Sequence, residues 1–279
     1  MKNRVFIFIS ALLLVSCWND KNKSQQNSDA GSTEVQQPVE NVQFANGRYN
    51  KAKKILDGEY PKYTINIDVK YAVGNKQVAE IINKQLADFL FGNSILPFEY
   101  AMKQFGDSLA SGFEKELKEF YDKDDENKET YAYEYTQTGK ISKDSPEGII
   151  AYTNRIETYT GGAHGDASEN QINLNAETGS IITSDEIFGK NKEAVAKLIK
   201  EQIVKDNNCK TAAELEEKRS IFSLGDVYIS DNNFLLQKDG ILFCYNPYEI
   251  APWSEGFIYT KLTYKQLEGF ISPNCIKTK

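Results

Sequence analysis

The only histidine of the chain, His164, lies in a glycine cluster, Gly161-Gly162-Ala163-His164-Gly165, with Asp166 and Glu169 just behind it. An imidazole changes charge near neutral pH, so beside a carboxylate it can act as a general base or as a ligand contact. Clustered glycines equally permit the positive φ of a purely structural turn. Further along, Phe243-Cys244-Tyr245-Asn246-Pro247-Tyr248-Glu249-Ile250-Ala251-Pro252-Trp253-Ser254-Glu255-Gly256-Phe257 combines aromatic rings, two prolines and an acidic pair. Such a segment forms either a stiff recognition surface of low side-chain entropy or a loop whose rings fill the core beneath a sheet. Phe105-Gly106-Asp107-Ser108-Leu109 offers a serine alcohol, which needs a base before it can attack. Cys209, Cys244 and Cys275 follow Cys17 with no Cys-x-x-Cys spacing, so neither a redox centre nor a structural zinc is indicated. In an oxidising compartment two of the three could pair.

One histidine cannot build a multi-histidine metal centre, and no cofactor, metal or complete catalytic set is expected. The 279 residues carry 33 Lys+Arg against 40 Asp+Glu, a formal charge of −7, which argues against a nucleic-acid partner and suits a basic or neutral one.

The elements that must position these residues follow from periodicity. Tyr63, Ile65, Ile67, Val69 and Tyr71 alternate with polar residues, predicting a strand with one buried face. Val78–Leu90 and Phe98–Phe120 carry apolar residues at helical spacing, and the second of these encloses Ser108. Strands are predicted through Tyr131–Tyr135, Ile149–Tyr159 and Ile172–Leu174, and helices from Ser184, over Lys192–Asp206 and over Thr211–Arg219. A hairpin turn at Lys238-Asp239-Gly240 leads to strands Ile241–Asn246 and Phe257–Thr263 and a short terminal helix, Tyr264–Phe270. Strands come in neighbouring pairs, which predicts an α+β fold of two small domains, 51–160 and 161–279, each with an antiparallel sheet packed by helices.

The first residues read as an export signal: Lys2 and Arg4, then an apolar run of Val5–Val15, too short to span a bilayer. Leu14-Val15-Ser16-Cys17 resembles the bacterial lipobox, which implies removal of residues 1–16 and lipidation of Cys17, a stable membrane anchor. Loss of Lys2 and Arg4 leaves 31 cations against 40 acids, a mature charge of −9. Trp18 after the cysteine, in place of Asp, resembles an outer-membrane address of Gram-negative lipoproteins. Residues 17–50, rich in Asn, Gln and Ser, read as a flexible tether.

Two family resemblances bear on function. Gly106-Asp107-Ser108-Leu109 resembles the nucleophile block of GDSL-type esterases, but it falls inside a helical pattern, and the family's Asp-x-x-His is absent because Gly161 precedes His164 at that spacing. Tyr159-Thr160-Gly161-Gly162-Ala163-His164-Gly165, the Asn246–Trp253 block, Gly256, Tyr264 and Leu267 resemble an extracytoplasmic domain family of unknown function, best understood as the sensor portion of lysozyme-responsive anti-sigma factors. Residues 60–159 resemble the small domain that precedes it and that also precedes the catalytic domain of some peptidoglycan deacetylases. The sigma-binding segment, the transmembrane helix and the deacetylase His-x-x-x-His site are all missing from this sequence. The resemblance therefore implies a non-enzymatic, lipid-anchored envelope protein that binds a lysozyme-like protein or peptidoglycan fragments. Its candidate contacts are Tyr159, Gly161, Gly162, His164, Tyr248, Glu249 and Trp253. The alternatives are an envelope hydrolase using Ser108 or His164 and a structural or assembly lipoprotein.

Overall fold

The computed structural model describes residues 42–221 and 224–272. The export signal, Cys17, Trp18, the tether up to residue 41 and Cys275 lie outside the described residues.

Five strands form the first sheet in the order β1-β2-β3-β4-β5: β1 Gln43–Lys54, β2 Lys62–Val73, β3 Ala132–Ile141, β4 Ile149–Tyr159 and β5 Asp166–Asn175. In β2 the alternation works as predicted. Tyr63, Ile65, Ile67 and Val69 are buried, while Asn66 and Asp68 between them are exposed, because successive side chains leave opposite faces. The buried face is covered by α1 (Lys76–Phe91) and α2 (Phe98–Phe120), whose Ile82, Leu86 and Leu117 are fully buried against it. These helices form the crossover from β2 to β3, so that pair runs parallel and the sheet is mixed, whereas the other three pairs are antiparallel as expected.

Parallel pairing between β2 and β3 ends at Val69 and Gly139, leaving the edge of β2 to be satisfied by side chains. The Tyr152 hydroxyl accepts from Lys70 N at 3.1 Å and donates to Lys70 O at 3.0 Å. Asn83 does the same two residues on, its amide bridging Ala72 N and Ala72 O at 2.7 and 2.9 Å. A Cβ on Gly139 would lie 2.0 Å from the Tyr152 oxygen, so this position admits only glycine.

The second sheet is antiparallel, β6-β7-β8: Phe234–Gln237, Gly240–Tyr245 and Ile258–Thr263. It is preceded by α3 (Ser184–Phe188), α4 (Lys192–Asp206) and α5 (Ala212–Arg219). Val195, Ile199 and Ile203 of α4 join Phe234, Ile241, Phe243 and Leu262 in a second core separate from the first. Asn173 stitches the edge of β5 to β6, donating to Phe234 O at 2.9 Å and accepting from Leu236 N at 2.9 Å. β5 thus continues the first sheet beyond the predicted 160/161 divide, and the change from one core to the other falls between Leu174 and Ile187.

Two local expectations change. The chain predicted as tether is already strand from Gln43; β1 escapes a hydrophobic pattern because its contacts with α2 are made by Gly47, Tyr49, Lys51 and Lys53. Residues 264–270 form successive turns rather than a helix. Of the three cysteines that could pair, Cys209 and Cys244 are buried and not joined to each other, and Cys275 lies outside the described residues.

Candidate functional site

The turn between β4 and β5 and the loop between β7 and β8 meet in space. Gly161, at φ +90°, brings the turn so close to Thr130 O that a Cβ would sit 3.0 Å from it; Gly162, at φ +94°, has open space around it. The Tyr159 hydroxyl donates to Gly162 O at 3.1 Å, so Tyr159 and the two glycines shape the turn that projects His164. His164 Nδ1 lies 2.7 Å from Gly165 O; a carbonyl only accepts, so Nδ1 carries the hydrogen. The imidazole then stacks on the Trp253 indole, with centroids 4.9 Å apart and planes 10° apart.

The opposite loop is anchored from below by Ile250 and Ala251, both buried. Tyr248 N donates to Ala251 O at 2.9 Å, closing a turn that holds Tyr248 at φ +71°. Positive φ is uncommon for a bulky side chain. The Tyr248 ring stacks at 6.4 Å on Trp253 and remains 63 % exposed. Tyr248, Trp253 and His164 therefore form a ridge of three roughly parallel rings, with Trp253 in the middle and the outer two exposed.

Glu249 faces inward. Its carboxylate accepts from Asn246 N at 3.0 Å, Asn246 Nδ2 at 3.1 Å and the Tyr228 hydroxyl at 3.4 Å. Asn246 Oδ1 accepts from Glu169 N on β5 at 2.6 Å, which ties the loop to the strand following His164. The Glu169 carboxylate in turn accepts from the Tyr259 hydroxyl and Gln171 Nε2, each at 3.0 Å. Burial and then Glu169 push the adjacent Cys244 thiol up to about 12, so it stays protonated and unreactive at neutral pH. Sequence reasoning did not single out Tyr228, Arg155 and Tyr259, and it marked Phe257 only as the last residue of the aromatic block. Arg155 lies over the Phe257 ring at 4.5 Å, and Phe257 stacks on Tyr259 at 6.1 Å. The pairings of Arg155 with Phe257, Tyr228 with Glu249 and Tyr259 with Glu169 join residues distant in sequence, and no local motif signals them.

Ser108 belongs to a different surface. It lines a shallow groove of about 640 Å³ on α2 with Leu96, Tyr100, Lys103, Gln104, Asp107 and Ser111, and no histidine lines it. Asp107 accepts from Lys103 at 2.5 Å, Tyr49 at 2.9 Å and Lys51 at 3.2 Å, which together hold its carboxyl well below the usual range. Gly106 is packed under the Tyr49 ring. The esterase-like block is the surface on which β1 docks. Among the described residues no group of three His, Cys, Asp or Glu could hold a metal ion, and no helix is long and apolar enough to cross a membrane.

Residues 182–265 match the family model described as Protein of unknown function (DUF3298). The DUF3298 match takes in Tyr248, Glu249 and Trp253 and excludes the turn that carries His164. The chain resembles a DUF3298-family protein of Bacteroides fragilis at 25% identity and a TM-score of 0.74, over 85% of this chain and 96% of that one. A DUF3298-family protein of Pseudomonas aeruginosa shares the fold at 17% identity and a TM-score of 0.55, over 84% of this chain and 97% of that one. No curated protein matches the chain.

Proposed function

We propose that this chain is a non-enzymatic binding protein of the cell envelope, anchored through a lipid on Cys17, which recognises its ligand with the ridge of Tyr248, Trp253 and His164. The observation that carries the reading is Tyr248. A tyrosine held at φ +71° with its ring 63 % exposed costs the fold backbone strain and returns little packing, which is a pattern concentrated at contact sites. An exposed stack of aromatic rings suits a macromolecular partner, and aromatic anchors of this kind dominate binding energy where they occur. The acidic balance of the mature chain favours encounter with a basic partner, which makes a lysozyme-like protein the first ligand to test and peptidoglycan fragments the second. The outer membrane of a Gram-negative cell is the proposed location.

Calorimetric titration of the full chain with lysozyme and, separately, with muropeptides tests this reading. Saturable binding that disappears in Trp253→Ala supports it, and no heat from either ligand at about 0.1 mM overturns it. No observation favours the hydrolase reading, which rests on Ser108 or His164, over this one: no histidine lines the Ser108 groove, and His164 hydrogen-bonds to Gly165 O and stacks on Trp253.

A further inference from the structure

The described chain enters the fold at one end of the five-stranded sheet, where Gln43 of β1 pairs with Val73 at the close of β2. The helix α2 runs beside β1 in the same direction. Phe98 at its start packs on Gly47 and stacks on Tyr71 at 5.2 Å, Gly106 meets the Tyr49 ring, and Glu114 further along accepts from Lys53 at 2.7 Å. The loop joining α1 to α2 therefore sits at the entry end. The turn that carries His164 sits at the other end, because Tyr159 lines up through Glu134 with Thr64 at the start of β2. The twelve residues of β1 set the two ends apart by on the order of 35 Å.

Exposed apolar side chains occur at both ends, but their surroundings differ. At the far end Leu56 is followed by Asp57 and Glu59, and Phe120 stands between Glu119 and Asp122. At the entry end no charged residue occurs from Phe89 to Phe98. Asn93 Oδ1 accepts from Ile95 N and Leu96 N at 3.1 Å each, which fixes the loop with Ile95 92 % exposed. Tyr100, also exposed, follows on the first turn of α2. The charges of that helix nearest the loop are engaged, Glu99 by the Tyr71 hydroxyl at 3.2 Å and Lys103 by Asp107. Asp88 and Lys76, near the two ends of α1, have no side-chain partner among the described residues and are of opposite sign. The corner is thus a small apolar tip with no net charge to select a charged partner.

We propose that the corner of Ile95, Leu96 and Tyr100 dips into the surface of the bilayer that holds the Cys17 lipid, and so turns the ring ridge away from it. The inference rests on the proposed lipidation of Cys17. An aliphatic side chain beside a tyrosine suits the boundary between headgroups and acyl chains, where aromatic rings with a polar tip collect. So small a tip holds lipid weakly by itself. The polypeptide from Cys17 joins the fold at this same end, which makes docking intramolecular and raises its effective concentration.

The acylated chain on phosphatidylcholine vesicles tests the docking. In a Trp18→Phe/Trp253→Phe background, Ile95→Trp should shift its emission to the blue on vesicles and lose at least about half its intensity when the acyl chains carry bromine. Phe120→Trp in the same background, at the far end, should change in neither respect. Adding Tyr100→Asp to the Ile95→Trp chain should remove most of the quenching while the chain stays on the vesicles. Where the tryptophan changes unfold the protein, hydrogen exchange of the unaltered acylated chain gives the same reading. Ile95 to Tyr100 should then exchange more slowly on vesicles than in the Cys17→Ser chain in solution. Failure to co-sediment with vesicles would refute the Cys17 anchor and this inference with it. Co-sedimentation with no more quenching in Ile95→Trp than in Phe120→Trp, or with no slowing of exchange, would refute the docking and leave the anchor standing.

Discussion

Tyr248 offers the sharpest test at the level of single residues, because its backbone and its ring make opposite predictions. Replacement by glycine removes a side chain from a left-handed position that glycine adopts freely, so Tyr248→Gly should leave the urea midpoint unchanged or raise stability by up to about 1 kcal/mol. The same variant should lose lysozyme binding in the calorimeter. A variant that is both less stable and still competent to bind would mean that the ring serves packing alone. Tyr152 is the contrasting case, a residue devoted to the fold. Removing its hydroxyl leaves Lys70 N and Lys70 O without their partner, so Tyr152→Phe should cost about 1–3 kcal/mol in urea unfolding while ridge binding is retained.

At the level of elements, α2 joins β1 through residues whose types disguise their role. Two glycines in this helix should respond in opposite directions to the same change. A Cβ on Gly106 would come within 2.5 Å of the Tyr49 ring, whereas Gly112 has nothing within 4 Å. Gly112→Ala should therefore gain about 0.5–1 kcal/mol from helix propensity, while Gly106→Ala should lose about 1–3 kcal/mol through overpacking, both read from thermal unfolding. The ion pairs beside them titrate. Lys118 and Lys53 bring the Glu114 carboxyl down to about 2, and Asp107 is also held below its ordinary range. Depressed carboxyls stabilise the fold fully above about pH 4.5, and that contribution is lost as pH falls toward 2. The acid limb of a midpoint-versus-pH curve should be shallower in Glu114→Gln than in the wild type, and high salt should shrink the difference. The same elements explain what the sequence could reveal. β2 was legible because apolar side chains alternate along it, and α2 because its Phe113 and Leu117 recur at helical spacing. β1 was not, since it is held by lysines and a glycine. The parallel β2–β3 pairing was hidden as well, because which strands become neighbours depends on where the two helices pack. The ridge was half visible: the Asn246–Trp253 block stood out as a recognition loop, but its stacking on His164 is a contact across most of the second half of the chain.

Across the whole molecule, the two cores are joined at the edge of one strand. Asn173 acts there as a piece of backbone, its amide completing the hydrogen bonding of β6. Asn173→Leu would leave Phe234 O and Leu236 N without that partner in a buried place. It should cost about 1–3 kcal/mol and lower hydrogen-exchange protection in both β5 and β6, and protection lost in only one sheet would refute the coupling. This join has a consequence for the ridge, whose rings come from segments on either side of it. His164 belongs to the first sheet and Tyr248 and Trp253 to the loop of the second, so a chain with either sheet detached has no ridge at all. A ligand seated on the three rings would then act as a clamp. It should slow proteolysis of the β4–β5 turn and of the β7–β8 loop together, and a mechanical pull strong enough to part the sheets would release the ligand before either sheet unravels.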